Sequence, residues 1–248
     1  MVKILDCTTR DGGHITNWEF SDEFIRNLIE CLIKTNISYY EIGYRNFYDN
    51  GGKGCFYKCD KNILTKFYPL KKDLKLGVMT DTKRYNAQDF PDAKEDYIDF
   101  VRIACHPDRI AETLDIALNL YKNNYQVIIQ LMDISNVTNN EYKILKNWGY
   151  KDILETIYMA DSYGTLHPEN IEEYFNKLKN AGYKKISFHA HNNLNLALEN
   201  TLKAIELGAY SVDVTLNGLG RAGGNLDAVK LLDKLDDFTS EYYKKLTI

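Results

Sequence analysis

Short runs of β-branched and apolar residues alternate along the chain with longer amphipathic runs. The short runs predict eight strands, at 2–9, 37–44, 74–81, 99–106, 126–133, 156–162, 185–191 and 211–217. The longer runs, whose apolar residues recur at helical spacing, predict helices at 21–35, about 60–68, 107–124, 139–147, 168–181, 194–208 and 225–236. Strands that alternate with helices predict a parallel sheet, because each helix carries the chain back to the start of the next strand.

Eight such units predict an α/β fold, a single (β/α)8 TIM barrel that forms one catalytic domain over residues 1–248. An open doubly wound sheet is the alternative. That fold normally carries a G-x-G-x-x-G turn after its first strand, and the TTRDGG segment lacks this spacing. Only four prolines and no low-complexity tract give no sign of a linker, so one domain is expected.

Charge and composition exclude several classes of partner. The formal net charge is −4 and the lysines are dispersed, so neither nucleic acid nor an anionic membrane is an expected ligand. No apolar run approaches the roughly 20 residues that span a bilayer, and the N-terminus lacks the apolar core of a signal peptide. Five cysteines without a secretion signal indicate reduced thiols in a cytoplasmic protein.

Polar and ionisable side chains stand at the predicted carboxyl end of every strand. In (β/α)8 barrels these ends and the loops that follow them form the active site, so the pattern predicts an active-site mouth. In chain order the residues are Arg10, Asp11 and His14; Glu41, Tyr44 and Arg45; Asp81; His106; Asp133; Asp161; His189 and His191; and Asn217.

The strongest local signal is the His189-Ala190-His191 segment. Residues i and i+2 of a strand point the same way, so both imidazoles are expected to face the barrel axis. With Asp11 they predict a site for one divalent metal ion that leaves positions open for water or substrate. A pair of hydrogen-bonded core histidines is the alternative, and Asp6, deeper in the first strand, is the competing carboxylate.

Arg10 and Glu41 predict the chemistry beside that metal site. A guanidinium next to a metal ligand can stabilise an oxyanion on a polarised carbonyl, and Glu41 on the neighbouring strand could hold Arg10 in place. A purely structural ion pair is the alternative. His14 could be the general acid or base, or else an ordinary surface histidine, which is the interpretation for His106 and His167.

Two loops add candidate ligand contacts. The glycine-rich segment 217–225 allows the backbone to approach a ligand closely, and Asn225 could cap the last helix or reach the metal. The segment 51–60 has the composition of a mobile lid. Cys55 and Cys59 within it are interpreted as free thiols, because two cysteines without further partners make a poor metal site.

Taken in order, these segments resemble the signatures of the DRE-TIM metallolyase superfamily. It includes 3-hydroxy-3-methylglutaryl-CoA lyase, isopropylmalate and homocitrate synthases, 4-hydroxy-2-oxovalerate aldolases and related carboxyltransferases. Any one match is weak, but five in order at barrel spacing are specific to the superfamily. The matching segments are LDCTTRDGG at 5–13, EIG at 41–43, ADSYG at 160–164, HAHNN at 189–193 and NGLGRAGGN at 217–225.

The resemblance implies a role for each matching position. Asp11, His189 and His191 would bind Mg2+ or Mn2+, less often Zn2+, with Asn225 as a fourth ligand in some members. Arg10 would stabilise an enolate and Glu41 would orient Arg10. The side chains then expected to contact substrate are Tyr44, Arg45, Asp161, Tyr163, Asn217 and Arg221.

Departures from the family pattern favour its aldolase branch. The loop 218–224 lacks the cysteine of HMG-CoA lyases, and Ala160 stands where the carboxyltransferases place a lysine. The acyl-CoA-dependent synthases continue into long C-terminal domains. The aldolases have a histidine three residues after the metal-binding aspartate, as His14 is here. They also normally carry a C-terminal extension that docks a dehydrogenase, and its absence here makes that partnership doubtful.

The sequence therefore predicts a metal-dependent class II aldolase, a carbon–carbon lyase that acts next to a 2-oxo acid and yields pyruvate and an aldehyde. A Claisen-type acyl-CoA lyase or synthase is the first alternative, and a coenzyme A requirement would reveal it. A noncatalytic metal-binding barrel is the second. Radical chemistry on an iron–sulfur cluster is a distant third, because Cys55 and Cys59 lack a third cysteine. The 19 tyrosines permit a homo-oligomeric interface without locating one.

Overall fold

The computed structural model describes residues 2–35, 37–46, 48, 51–235 and 239–247. Its eight strands are parallel, pair in chain order and close on themselves, because the first strand also pairs with the last. The predicted TIM barrel is confirmed. The strands are β1 (Lys3–Asp6), β2 (Tyr39–Tyr44), β3 (Lys75–Asp81), β4 (Phe100–Cys105), β5 (Gln126–Leu131), β6 (Leu154–Asp161), β7 (Ile186–Ala190) and β8 (Ser211–Val214).

Helices cover the outside of the barrel, and each of the seven predicted ones is present. None in the described ranges is long and apolar enough to cross a membrane. The helices are α1 (Thr8–Asp11), α2 (Gly13–Thr16), α3 (Asp22–Lys34), α4 (Lys61–Phe67), α5 (Ile110–Lys122), α6 (Asn139–Asn147), α7 (Pro168–Asn180), α8 (Ala197–Glu206), α9 (Ala228–Lys234) and α10 (Ser240–Tyr243).

Helix α3 shows why the amphipathic pattern predicts these elements well. The Ser21 side chain accepts a hydrogen bond from the Phe24 backbone N–H and so satisfies a donor that the first turn leaves unpaired. Phe24, Leu28 and Leu32 recur on one face and are buried against the barrel, whereas the charged residues of the helix lie on the other face.

The repeated strand–helix pattern is wrong for one unit. Residues 82–98, between β3 and β4, contain two 3-10 turns, Ala87–Asp89 and Ala93–Glu95, and no α-helix. Asn86 and Asp92 each accept a hydrogen bond from the backbone two residues on, an arrangement that competes with helix formation.

The first strand is shorter than predicted. It ends at Asp6, whose carboxylate accepts hydrogen bonds from the Thr8 backbone N–H and hydroxyl, each at 2.9 Å. The chain then turns into α1, where the Asp11 N–H donates to the Cys7 carbonyl. Arg10 and Asp11 therefore lie on a helical turn rather than at the end of a strand.

The barrel interior is layered. A small cluster of buried apolar and aromatic side chains lies inside the barrel and consists of Leu5, Cys7, Tyr39, Phe100, Ile128 and Tyr158. Charged side chains from alternate strands lie at the next level: Glu41 from β2, Arg102 from β4 and Asp213 from β8, with the Arg102 guanidinium 4.9 Å from the centre of the Tyr158 ring on β6. Layers built from alternate strands are typical of TIM barrels, but charged ones are unusual in a position dominated by apolar residues.

Candidate active site

Asp11, His189 and His191 meet at the carboxyl end of the barrel. One possible ligand atom from each lies within 4.8 Å of the others, and all three side chains are buried. The Nε2 atoms of the two imidazoles face each other at 3.4 Å. The i, i+2 spacing thus places both histidines on the barrel axis, as the sequence predicts.

The hydrogen bonds of both histidines fix which ring nitrogen is available to a metal. Nδ1 of His189 lies 2.8 Å from the Asp213 carboxylate, and Nδ1 of His191 lies 3.3 Å from the Gly224 carbonyl. Because a carbonyl oxygen only accepts, and a carboxylate accepts when ionised, each Nδ1 is the atom that donates in its hydrogen bond. The two Nε2 lone pairs then converge, which is the arrangement typical of histidine ligands held by outer hydrogen bonds.

Asn225 supplies a fourth candidate ligand atom, its amide oxygen. Its Nδ2 donates to the Asp11 carboxylate at 2.5 Å and to the Leu219 carbonyl at 3.0 Å. Its Oδ1 is buried and has no hydrogen-bond partner among the described residues. Two imidazoles, a carboxylate and an unpartnered amide oxygen are a donor set that fits a divalent ion.

Electrostatics keep these groups in the protonation states that a metal requires. Burial raises the pKa of the Asp11 carboxyl, but the charge of Arg10, the neighbouring imidazoles and the hydrogen bond from Asn225 outweigh it and hold that pKa below its usual value. Burial, reinforced by His189, lowers the pKa of His191 to about 3. At neutral pH Asp11 is therefore ionised and His191 is neutral.

We name the three candidate metal ligands, Asp11, His189 and His191, the metal group. Arg10 lies beside this group and is held from two sides. Its Nε donates to Glu41 at 2.5 Å and its Nη1 donates to Asp11 at 2.8 Å. Its Nη2 is buried without a hydrogen-bond partner among the described residues. A buried donor that is held in place but unpaired can stabilise negative charge that develops beside it.

Arg102 and Asp213 are site residues that the sequence reasoning missed. Arg102 donates to both carboxylate oxygens of Glu41, at 2.7 and 2.5 Å, and to Asp213 at 2.6 Å. Asp213 in turn contacts His189. A continuous chain of buried charged side chains therefore connects Asp11 to His189 through the barrel interior. The available signal was a single charged residue in each of two apolar strands, FVRIAC and SVDV.

The glycine loop after β8 packs directly on the metal group. A Cβ atom added to Gly220 would lie 2.1 Å from Asn225 Nδ2 and 3.2 Å from Asp11 Oδ2. Only glycine allows the backbone to approach these side chains this closely. The close packing of segment 217–225 on the metal group therefore requires glycine at position 220.

His14 lies at the rim of the metal group. Its Nε2 is 4.0 Å from an Asp11 carboxylate oxygen, and its ring packs edge-on against Trp18 and Tyr44. Burial lowers the pKa of His14 to about 4, and the charges of nearby arginines add to this effect against that of Asp11. The ring is therefore neutral at physiological pH and can accept a proton.

Three of the predicted substrate contacts lie toward the site. Tyr44 is buried beside His14. Tyr163 and Arg221 line a cavity of about 320 Å³ over the barrel mouth. His106, interpreted from the sequence as an ordinary surface histidine, lines the same cavity. We name this space the mouth cavity.

The other three predicted contacts are engaged elsewhere. Arg45 forms a buried ion pair with Asp96 and lines a separate cavity. The Asp161 carboxylate accepts backbone hydrogen bonds from the turn that follows β6. Asn217 lines a polar pocket of about 200 Å³ between the loops after β7 and β8, a pocket that Asn225 also lines. These contacts give none of the three side chains a place in the mouth cavity.

A β-bulge accounts for the direction in which Arg45 points. The pairing of β2 with β3 shifts register between Glu41 and Gly43. Regular alternation from the inward Glu41 would turn Arg45 inward and Tyr44 outward. The extra residue reverses this order, so Tyr44 faces His14 and Arg45 faces Asp96.

The remaining predictions for this face have mixed outcomes. Asp6, the competing carboxylate, accepts a hydrogen bond from Tyr243 at 2.8 Å and belongs to the packing of α10. Cys55 and Cys59 are free thiols, as predicted. The loop 51–60 packs on Trp18 through Lys53, whose Nζ is 5.2 Å from the ring centre. Its mobility stays a prediction, and residues 47, 49 and 50 just before it lie outside the described ranges.

Comparison with known proteins agrees with this geometry. Oxaloacetate decarboxylase of Mycobacterium tuberculosis is 28% identical over 224 residues, which cover 90% of this chain and 66% of the relative. A 4-hydroxy-2-oxovalerate aldolase of Pelotomaculum thermopropionicum is 27% identical over 245 residues, 94% of this chain and 70% of the relative. The chain thus spans about two thirds of the length of these curated relatives.

The fold and the family model give the same assignment. The crystal structure of the N-terminal domain of a candidate aldolase from Bacteroides vulgatus superposes with a TM-score of 0.89 at 27% identity, covering 99% of this chain and 84% of that one. The HMGL-like family model matches residues 101–238, more than half of the chain. The predicted superfamily is confirmed: this chain belongs to the HMGL-like family.

Proposed function

We propose that this chain is a divalent-metal-dependent class II aldolase that cleaves or forms the bond between C3 and C4 of a 4-hydroxy-2-oxo acid. Pyruvate and an aldehyde are the products of cleavage. The observation that supports this most is the metal-ligand group beside Arg10, whose Nη2 donor is buried and unpaired. The relatives named above, an aldolase and a decarboxylase, both act by their names on carbon–carbon bonds.

Asp11, His189 and His191, with the Asn225 amide oxygen, would hold the ion. When bound, a divalent ion supplies Lewis-acid polarisation of the 2-oxo group. The family resemblance implies Mg2+ or Mn2+, with Zn2+ as the alternative. Carboxylate and amide oxygens suit the first two ions, and imidazole nitrogens suit Zn2+. The absence of any disulfide among the five cysteines supports a reducing, cytoplasmic location.

The chain's own residues account for the steps around the bond that breaks. His14, neutral and at the rim, takes the proton from the 4-hydroxyl. The C3–C4 electron pair moves into the 2-oxo acid half as the aldehyde carbonyl forms. Arg10 Nη2 donates to the oxyanion of the resulting enolate, and Glu41 keeps that guanidinium in position. Protonation at C3 then gives pyruvate.

A coupled assay of 4-hydroxy-2-oxopentanoate cleavage tests this proposal. Pyruvate release is measured with lactate dehydrogenase and NADH, with Mn2+ or Mg2+ and after metal removal. We expect metal-dependent pyruvate release without coenzyme A. The His14→Gln variant should lose roughly 10²- to 10⁴-fold in kcat, the usual contribution of a general base. The matched control is His167→Gln, because His167 lies at the start of α7 and outside the site.

Other outcomes would assign another function. Turnover only in the presence of an acyl-CoA would replace the aldolase by the Claisen-type alternative. Metal binding without turnover on either class of substrate would favour the noncatalytic barrel. An unchanged kcat in the His14→Gln variant would remove His14 from the mechanism and leave the metal site untouched.

A further inference from the structure

We propose that the aldehyde half of the substrate carries an anionic group, a carboxylate or a phosphate. This inference rests on the proposed aldolase function and specifies the substrate class of the same site. It comes from the charges and space around the mouth cavity, which exceed what a small neutral aldehyde needs.

A second cavity, of about 380 Å³, follows β3 and β4. It shares the lining residue His106 with the mouth cavity, so the two cavities lie side by side. We name the two together the mouth groove. Each part is about ten times the volume of one water molecule, roughly 30 Å³, so the groove has room for a chain of several atoms. It extends from Arg221 at one end to Arg84 and Arg109 at the other.

Arg84 is fixed in place at one end of the groove. Its guanidinium carbon lies 4.9 Å from the centre of the Tyr44 ring and 5.7 Å from that of Tyr57. Asp81 pairs with the guanidinium and also accepts the Arg84 backbone N–H at 2.8 Å. A guanidinium carries five N–H donors, so Asp81 and Tyr57 leave donors for a ligand. An arginine oriented in this way is suited to bind a carboxylate or phosphate with two hydrogen bonds.

Arg221 occupies the opposite end. Its side chain is exposed on the glycine loop, and no carboxylate of the described residues lies within ion-pair distance of it. Arg221 therefore adds a positive charge to the mouth cavity, and Arg84 adds one to the neighbouring cavity.

Binding of the 2-oxo acid half of the substrate does not require the cations of the mouth groove. That half brings one carboxylate and one developing oxyanion, which a divalent ion and Arg10 can match. Four cations line the groove, Lys83, Arg84, Arg109 and Arg221, and three carboxylates, Asp81, Asp108 and Asp133, so one positive charge is in excess. Asp81 and Asp108 pair with Arg84 and Arg109, respectively. An anion on the aldehyde half would meet this surplus.

Aldol formation with matched aldehydes tests the inference. Pyruvate is supplied with glyceraldehyde 3-phosphate or glyceraldehyde, and with succinate semialdehyde or its methyl ester. Pyruvate C3 bonds to the aldehyde carbon, and the aldehyde oxygen gains the proton that C3 loses. We expect kcat/KM to be roughly 10- to 100-fold higher for one or both anionic aldehydes than for the neutral partner, as for a charge-assisted hydrogen bond. Which pair shows the preference distinguishes phosphate from carboxylate.

Substitutions at Arg84 and Arg221 test whether these residues cause the preference for anionic aldehydes. Arg84→Gln and Arg221→Gln should each lower the ratio of kcat/KM for the anionic to the neutral aldehyde about tenfold, and Arg84→Lys should retain part of it. Arg221 is exposed, so its variant should keep the fold. Arg26→Gln is the matched control: it removes one charge from α3, on the outer layer, and should leave the ratio unchanged.

The ratio of kcat/KM for anionic to neutral aldehydes, together with proton exchange from pyruvate, distinguishes failure of this inference from failure of the proposed aldolase function. Loss of both neutral and anionic turnover, together with absence of metal-dependent proton exchange from pyruvate, would overturn the aldolase proposal itself. Exchange from pyruvate with equal kcat/KM for anionic and neutral aldehydes would overturn the anionic substrate class alone. A preference that survives in both glutamine variants would overturn the assignment of that preference to Arg84 and Arg221.

Discussion

Replacing Asp11 with alanine is expected to abolish divalent-ion binding and catalysis together. Asp11 supplies the charged donor of the metal group and also accepts hydrogen bonds from Arg10 and Asn225. Its loss leaves two neutral imidazoles and one amide to bind an ion. A bound ion contributes several kcal/mol of transition-state stabilisation and each 1.36 kcal/mol is tenfold, so activity should fall at least about 10³-fold. His191→Ala should behave in the same way.

Calorimetric titration with Mn2+ and the pyruvate-release assay measure the two effects on the same preparations. The matched control is Asp152→Ala, because the Asp152 side chain is 93% exposed and lies away from the site. That variant should bind Mn2+ and turn over substrate as the parent does. Full activity in Asp11→Ala would contradict the assigned metal site, whatever the ion affinity of the variant.

Replacing Arg102 with methionine is expected to destabilise the fold more than any surface substitution. Arg102 is fully buried and pairs with Glu41 and Asp213, which are also buried. Removing the cation leaves two carboxylates in the barrel interior without their main partner. Breaking a buried ion pair from one side costs about 3–5 kcal/mol, so the free energy of unfolding should fall by that amount.

Urea denaturation measures this loss, and Arg26→Met on the surface of α3 is the control, with an expected change within about 0.5 kcal/mol. Because the penalty arises from unpaired charge, adding Glu41→Gln and Asp213→Asn to Arg102→Met should restore part of the stability. A loss of stability caused by altered packing rather than by unpaired charge would not show this recovery. An Arg102→Met protein as stable as the parent would contradict the buried network.

The order of elements could be predicted from the sequence because burial imposes its periodicity on every strand and helix. His189 and His191 could also be located, since their i, i+2 spacing on a strand leaves one geometry. The chain between β3 and β4 could not be predicted. There the side-chain hydrogen bonds of Asn86 and Asp92 favour 3-10 turns over a helix.

The sequence alone does not show which charged residues pair or where a strand contains a β-bulge. A lone arginine in FVRIAC indicates that Arg102 is unusual, but its pairing with Glu41 and Asp213 depends on the closure of the barrel. Position at a strand end likewise does not say which way a side chain points. The register shift after Glu41 exchanges the directions of Tyr44 and Arg45, and no local pattern announces it.

Proton exchange from pyruvate tests the central claim most directly, because it requires the metal group and Arg10 to stabilise an enolate and needs no knowledge of the aldehyde. The protein is incubated with pyruvate in D2O, with and without Mn2+ or Mg2+. In Mg2+ samples the NMR signal of the pyruvate methyl group is followed directly. In Mn2+ samples the same signal is measured after the ion is removed. We predict metal-dependent loss of that signal, absent in Asp11→Ala and retained in Asp152→Ala. Absence of exchange in the parent protein with the ion demonstrably bound would contradict the account.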